Sequence, residues 1–310
     1  MHVLVTGGAG FIGSHLVVAL RERGDEVTVL DNFDDYYDPA LKRLNVKAAE
    51  GVRLVEGDLR CSEDIDRALD GVDAVAHLAA RAGVRPSLTQ GPLYVDVNVR
   101  GTQSLLDGLE RAGVRRMIYA SSSSVYGART SGPFREDDPV HRPVSPYAAT
   151  KLAGELLIHA ATQTRELSAS CLRLFTVYGP RQRPEMAIHL FARKALSNGT
   201  IQRFGDGLSK RDYTYVDDIV RGLIAALDRP VPYAVYNLGS GSPITLQGLL
   251  DGLAEALGVE LRIEHLPDQP GDVPSTWADI SRAGDELGWT PEVPLPVGLA
   301  RFREWLLTSA

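Results

Sequence analysis

Hydrophobic positions in the first half of the chain follow two alternating rhythms. Short, nearly continuous apolar runs at residues 2–6, 26–31, 52–56, 73–77 and 115–120 are rich in Val, Leu and Ile. They end at glycine or charged residues, which predicts strands. Between them, residues 11–23, 62–69 and 93–112 place apolar side chains at helical spacing. Strands that are hydrophobic throughout, each followed by a helix, predict a doubly wound α/β architecture with a parallel sheet covered on both faces. A helix over about 146–165 and a strand over about 170–176 continue the series. After Gly179 prolines and glycines become frequent, strands stand alone, and the helices predicted at 187–196, 217–227 and 246–257 are shorter. The expected organisation is one domain over 1–178 and a smaller α/β lobe over 179–310. The boundary is soft, leaving room for part of the lobe to return to the sheet.

The link from the first strand to the first helix reads Thr6-Gly7-Gly8-Ala9-Gly10-Phe11-Ile12-Gly13. Gly7 permits a tight turn, Gly10 a close approach of backbone amides to a pyrophosphate, and Gly13 close packing of helix on strand. The helix N-terminus at Phe11 and Ile12 adds aligned N–H groups for phosphate. The second strand ends in Asp31-Asn32, about 20 residues further on, where a carboxylate accepts from ribose hydroxyls and repels a 2′-phosphate. This is a Rossmann-type dinucleotide site that favours NAD over NADP. The third strand ends in Asp58-Leu59, with Asp58 placed for the adenine amino group. The fourth ends in Leu78-Ala79-Ala80, small enough for backbone to reach the cofactor.

Tyr147 and Lys151 stand four apart at the start of a helix, with Ser145 as N-cap and Pro146 as first helical residue. That spacing puts phenol and ammonium on one face, and a neighbouring cation lowers a tyrosine pKa from about 10 toward the working range. The fifth predicted strand runs into Ser121-Ser122-Ser123-Ser124-Val125-Tyr126-Gly127. Four successive hydroxyls are poor core material and suit a rack around a substrate hydroxyl.

Hydrophobic content of 44% and charged content of 24% are those of an ordinary globular enzyme. No apolar run approaches the ~18 residues of a membrane span, and the start reads as a strand without a signal-peptide pattern. Cys61 and Cys171 are expected as reduced thiols of a cytoplasmic protein. A net charge of −7 argues against nucleic acid. Residues 181–211 nevertheless hold seven basic residues against two acidic ones, a local +5 suited to an anionic ligand. No metal site is expected.

Together these motifs resemble the extended short-chain dehydrogenases that epimerise, dehydrate or decarboxylate nucleotide sugars, and the resemblance covers Val3 to about Trp305. It implies a tightly held NAD that takes hydride from sugar C4 and returns it. Tyr147 would be base and acid, Lys151 would hold the nicotinamide ribose, and Ser122 with Ser123 would bridge to the reacting hydroxyl. Asn98 matches a position near the cofactor, Arg211 the arginine that grips the diphosphate with Arg85 opposite, and Asp272 a contact to the nucleoside ribose. Relatives usually form homodimers through two helices, here around 93–112 and 146–165.

Dehydratases of this family carry an Asp-Glu pair where Ser123 and Ser124 stand, and decarboxylases a glutamate in the rack, so the resemblance points to an epimerase. Leu30 to Pro39, Phe175 to Pro180, Arg183 to Ala187 and Gln269 to Pro274 look most like UDP-glucuronate 4-epimerases. Arg181-Gln182 departs from the Trp-Gly of many of them. By resemblance, Thr176 would face the sugar carboxylate, with Ser122, Ser123 and Ser124 nearby, and Arg183 would bond it. Oxidation at C4 makes a β-keto acid, so the carboxylate must be held away from the alignment that releases CO₂. A UDP-glucose 4-epimerase is the alternative. A decarboxylase or a non-catalytic NAD-binding regulator stands further off.

Overall fold

The computed structural model describes residues 1–47, 49, 51–129, 132–267 and 273–308. Seven parallel strands form the central sheet. Six come in chain order as β1 (His2–Thr6), β2 (Glu26–Asp31), β3 (Arg53–Glu56), β4 (Ala74–His77), β5 (Arg116–Ser122) and β6 (Ser168–Leu174). Across the sheet the order is β3, β2, β1, β4, β5, β6 and then Tyr233–Leu238. This is Rossmann-type winding, and its direction reverses between β1 and β4, where such sheets open a crevice at their carboxyl ends.

The near-continuous hydrophobicity of the strands has a direct cause. Successive side chains point to opposite faces, and both faces are covered. Leu4, Leu30, Val75, Met117 and Tyr119 pack with Ile65, Leu105 and Ile158 of the helices on one side. Val3, Val5, Val27, Val29, Ala76 and Ile118 pack with Leu16, Val17, Ile219 and Leu223 on the other. That second cluster continues through Leu253 and Phe302 to Leu306. The C-terminal part of the chain therefore shares its core with the first half and supplies the edge strand, Tyr233–Leu238.

Two elements differ from expectation in ways that shape the cleft. The strand expected over 170–176 ends at Leu174, because the Phe175 N–H bonds Leu238 and the Thr176 N–H bonds Asp212. A new ladder, Thr176–Tyr178 on Tyr213–Tyr215, starts there. The helix expected over 93–112 begins at Gly91, and its stretch Val95–Arg100 is a π-helical turn before Gly101–Ala112. The helix Pro39–Lys47 has a strongly polar sequence and no apolar stripe that its periodicity would reveal.

Candidate active site

The carboxyl ends of β1, β2, β4 and β5 open into one cleft of about 400 Å³, a size typical of small-molecule sites. Gly7 turns the chain at φ +69°, and a Cβ there would meet Ala79 N at 2.8 Å. A Cβ on Gly13 would overlap the Gly7 carbonyl oxygen, so helix and turn touch backbone to backbone. The helix Phe11–Glu22 begins at Gly10 without a side-chain cap. Its first N–H groups are thus left for a ligand.

Gly7, Gly10, Phe11, Ile12, Gly13, Asp31, Asn32, Asp58, Leu59, Leu78, Ala79 and Ala80 all line this cleft. Asp31 is fixed by the N–H groups of Ala9 at 3.1 Å and Phe33 at 2.9 Å, while burial raises its carboxyl above the ordinary range. Asp58 takes Arg60 on both oxygens and Asn32 Nδ2 at 2.9 Å, and these bonds hold it well below the usual carboxylate range. A glycine cradle that no Cβ fits, a free helix N-terminus and two fixed carboxylates suit a dinucleotide.

The opposite wall carries Ser122, Ser123, Ser124, Tyr147, Lys151, Thr176 and Arg183. Ser145 caps its helix by accepting from Ala148 N at 3.1 Å, and Pro146 follows as expected. Lys151 Nζ donates to the Ala120 carbonyl at 2.7 Å and lies 4.8 Å from the Tyr119 ring. Burial pulls this lysine down to about 7. Tyr147 departs from expectation: burial raises its phenol, opposed first by a hydrogen bond with Ser122 and then by the Arg183 charge. Desolvation outweighs both.

Other expected residues fall elsewhere. Asn98 does not reach the cleft. Its Oδ1 accepts from Arg81 N at 2.7 Å and its Nδ2 donates to the Arg81 carbonyl and to Thr150 Oγ1, so it braces the wall from behind. Arg85 and Arg211 stand outside the lining residues: Arg85 lies 5.5 Å from the Phe204 ring, and Arg211 donates to the Lys210 carbonyl at 2.9 Å. Asp272 lies outside the described residues.

Sequence reasoning missed Tyr36, Arg81 and Lys42 as lining residues. The Tyr36 ring is flanked by the guanidinium carbons of Arg81 at 5.1 Å and Arg183 at 5.6 Å. Asp34 pairs with Arg81 and, through its carbonyl, accepts from Lys42 Nζ at 2.6 Å. The available signal was the segment Asp34-Asp35-Tyr36-Tyr37, noted for resemblance and given no place in the site. Arg183 itself is paired through Nε with Glu185 at 2.6 Å. Among the described residues no helix is long and apolar enough to cross a membrane, and no cluster of acidic, His or Cys side chains is placed to hold a metal.

Comparison with known proteins agrees with this geometry. The chain is 42% identical to a UDP-glucuronate 4-epimerase of Thermodesulfobacterium geofontis, over 98% of this chain and 95% of that protein. It is also 42% identical to UDP-glucuronate 4-epimerase 1 of Arabidopsis thaliana, over 99% of this chain and 76% of the relative. The crystal structure of UDP-glucuronic acid 4-epimerase from Bacillus cereus, in complex with UDP-glucuronic acid and NAD, superposes with a TM-score of 0.94 at 36% identity, covering both chains fully. The model of the NAD dependent epimerase/dehydratase family matches residues 3–239, which span every strand of the central sheet and both walls of the cleft, and the chain belongs to that family.

Proposed function

We propose that this protein is an NAD-dependent UDP-glucuronate 4-epimerase, interconverting UDP-glucuronate and UDP-galacturonate. The observation that carries the reading is the placing of Arg183 and Thr176 in the same cleft as Tyr147, Lys151 and the serine rack. A carboxylate on the sugar would find there a guanidinium already lodged against Tyr36, and charge-assisted bonds of this kind are the strong ones.

Tyr147 takes the proton of the sugar C4 hydroxyl and, once the 4-keto ring has turned its other face to the cofactor, returns a proton to the C4 oxygen. Ser122, in hydrogen-bonding reach of Tyr147, orients that hydroxyl, and Ser123 assists. NAD, when bound, supplies the hydride acceptor and donor at C4. Lys151 would hold its nicotinamide ribose, Asp31 its adenine ribose, and the Gly7–Gly13 turn its pyrophosphate. Thr176 and the rack hold the carboxylate away from the alignment that releases CO₂, with Arg183 neutralising it after the ring has turned. The diphosphate falls to Arg211, with Arg85 opposite. Two copies would pair through the helices Gly101–Ala112 and Pro146–Thr164, where Leu156 is exposed. The two free cysteines accord with a cytoplasmic enzyme.

Denaturing the purified protein is expected to release NAD and not NADP, because Asp31 sets like charge against a 2′-phosphate. Recovery of mainly NADP would remove Asp31 from that role. For the substrate, Arg183→Ala is expected to cost about ten- to a hundred-fold in turnover of UDP-glucuronate, matching roughly 1.5–3 kcal/mol for a bond to a charged group. Any slow turnover of UDP-glucose should change far less. Equal losses on both sugars would assign Arg183 to the diphosphate or the fold. A wild-type preference for UDP-glucose would make the protein a UDP-glucose 4-epimerase.

A further inference from the structure

Behind the serine rack lies an ion pair that the chemistry above does not use. The side chains of Glu155 and Arg173 are each 4% exposed. Arg173 donates through Nε and Nη2 to the two oxygens of Glu155, at 3.0 and 2.8 Å. Buried charges are costly unless attraction and further hydrogen bonds compensate them. Here the compensation is extensive. Arg173 Nη1 also donates to the Tyr126 hydroxyl at 3.0 Å and to the Glu136 carbonyl at 3.2 Å. Tyr126 in turn donates to Asn237 Oδ1 at 2.7 Å. The pair is thus fixed from the side away from the cleft.

On the cleft side Glu155 sits one turn beyond Lys151 on the helix Pro146–Thr164. The two residues grip successive positions of β5: Lys151 donates to the Ala120 carbonyl, and the Ser121 hydroxyl donates to Glu155. The next residue along is Ser122. Around the ammonium stand the Tyr119 ring of β5 and Cys171 of β6, and Tyr147 of its own helix lines the same cleft. His77 of β4 is held neutral, at about 3, by burial and by the lysine's charge. Arg173 reaches in from β6 behind Glu155. Burial drives Lys151 toward its neutral form, and Glu155 is the largest influence opposing it.

We propose that Glu155, clamped by Arg173 and Ser121, is a positioning residue that keeps Lys151 an ammonium and in register behind Tyr147. The inference rests on the assignment of Tyr147 and Lys151 given under the proposed function. Glu155 does not line the cleft, so it acts through what it holds, the Lys151 charge and the Ser121 hydroxyl. Interacting groups titrate as a pair, and one proton shared by Tyr147 and Lys151 leaves either a phenolate with an ammonium or a phenol with a neutral amine. A carboxylate beyond the lysine favours the proton on nitrogen, which leaves a phenolate facing the sugar. Without it the proton moves to Tyr147, and the base is lost.

Glu155→Gln alone leaves Arg173 as an unpaired buried cation, so the decisive variant is Glu155→Gln with Arg173→Met, which removes both charges. The NAD-loaded enzyme is assayed with UDP-glucuronate across pH. The Tyr147 phenolate is followed by ultraviolet absorbance, as the difference from the same protein carrying Tyr147→Phe. In the double variant the acid limb of kcat should move up by about one pH unit, with kcat at neutral pH falling roughly tenfold and KM changing by less than about twofold. The phenolate titration should move by the same amount. Ser121→Ala keeps both charges and loosens one grip, and should shift the limb the same way by less. A double variant with wild-type profile and phenolate titration would overturn the proposal, leaving Glu155 as a mere partner for Arg173. Should the double variant not fold, an unshifted Ser121→Ala overturns it. A wild type that does not epimerise UDP-glucuronate would defeat the function proposal instead, while the phenolate titration, which needs no substrate, would still decide the role of Glu155.

Discussion

Tyr147→Phe is expected to lower turnover at least ~10²-fold while leaving nucleotide-sugar binding nearly intact, as for the loss of a positioned acid–base group. The substitution removes one oxygen and keeps the ring, which packs edge-on to Tyr94 with centroids 6.3 Å apart. The fold should therefore be preserved, and the loss should fall on kcat. Single-turnover mixing with NAD-loaded protein separates the two cases, since absorbance of reduced nicotinamide reports the oxidation step alone. The phenol is buried in a way that raises its pKa, and it is opposed by Ser122 and Arg183. The wild-type acid limb should accordingly lie lower with the carboxylate-free UDP-glucose than with UDP-glucuronate, whose own charge offsets Arg183. A Tyr147→Phe enzyme with near-normal kcat would place the proton transfer elsewhere.

Gly13→Ala is expected to empty the protein of NAD. Its new Cβ would overlap the Gly7 carbonyl oxygen, which is backbone and already accepts from Gly10 N at 3.0 Å. Gly7 has no freedom to retreat, since it stands at φ +69° against Ala79 of β4's carboxyl end. Either the helix Phe11–Glu22 lifts from the sheet or the turn opens, and in both cases the N–H groups leave the pyrophosphate. Overpacking of this kind costs about 1–3 kcal/mol of stability, read as a lowered Tm. NAD released per chain should drop to a small fraction of the wild-type amount. Gly113→Ala is the control: it replaces a glycine at positive φ, +71°, and its Cβ meets nothing within 4 Å. It should lower Tm by backbone strain and keep its NAD. Equal loss of NAD from both variants would reduce the Gly13 effect to general destabilisation.

Much of the cleft was legible in the chain because its chemistry is local. The turn Gly7–Gly13 and the pair Tyr147–Lys151 lie within one turn or one helix, so spacing alone puts their atoms together. Asp31 and Asp58 were legible because a parallel sheet brings every strand's carboxyl end to the same edge. The partners of Asn98 were not legible: its side chain bonds Arg81 and Thr150 from within the π-helical turn Val95–Arg100, and the periodicity of ordinary helix does not encode such a turn.

What the sequence determined by itself is the alternation of strand and helix, the glycine turn Gly7–Gly13 and the helix spacing of Tyr147 and Lys151, all set by contacts among near neighbours and by which faces must leave water. Tertiary structure alone decided the rest. It brought Tyr36 between Arg81 and Arg183, ended β6 so that Thr176 turns onto a second ladder, returned Tyr233–Leu238 to the sheet, and paired Glu155 with Arg173 behind the rack. These contacts join residues that no short-range rhythm links. Their energy comes from burial and from charges that meet only once the sheet has closed, and hydrophobic spacing specifies which residues go inside without specifying which polar groups meet there.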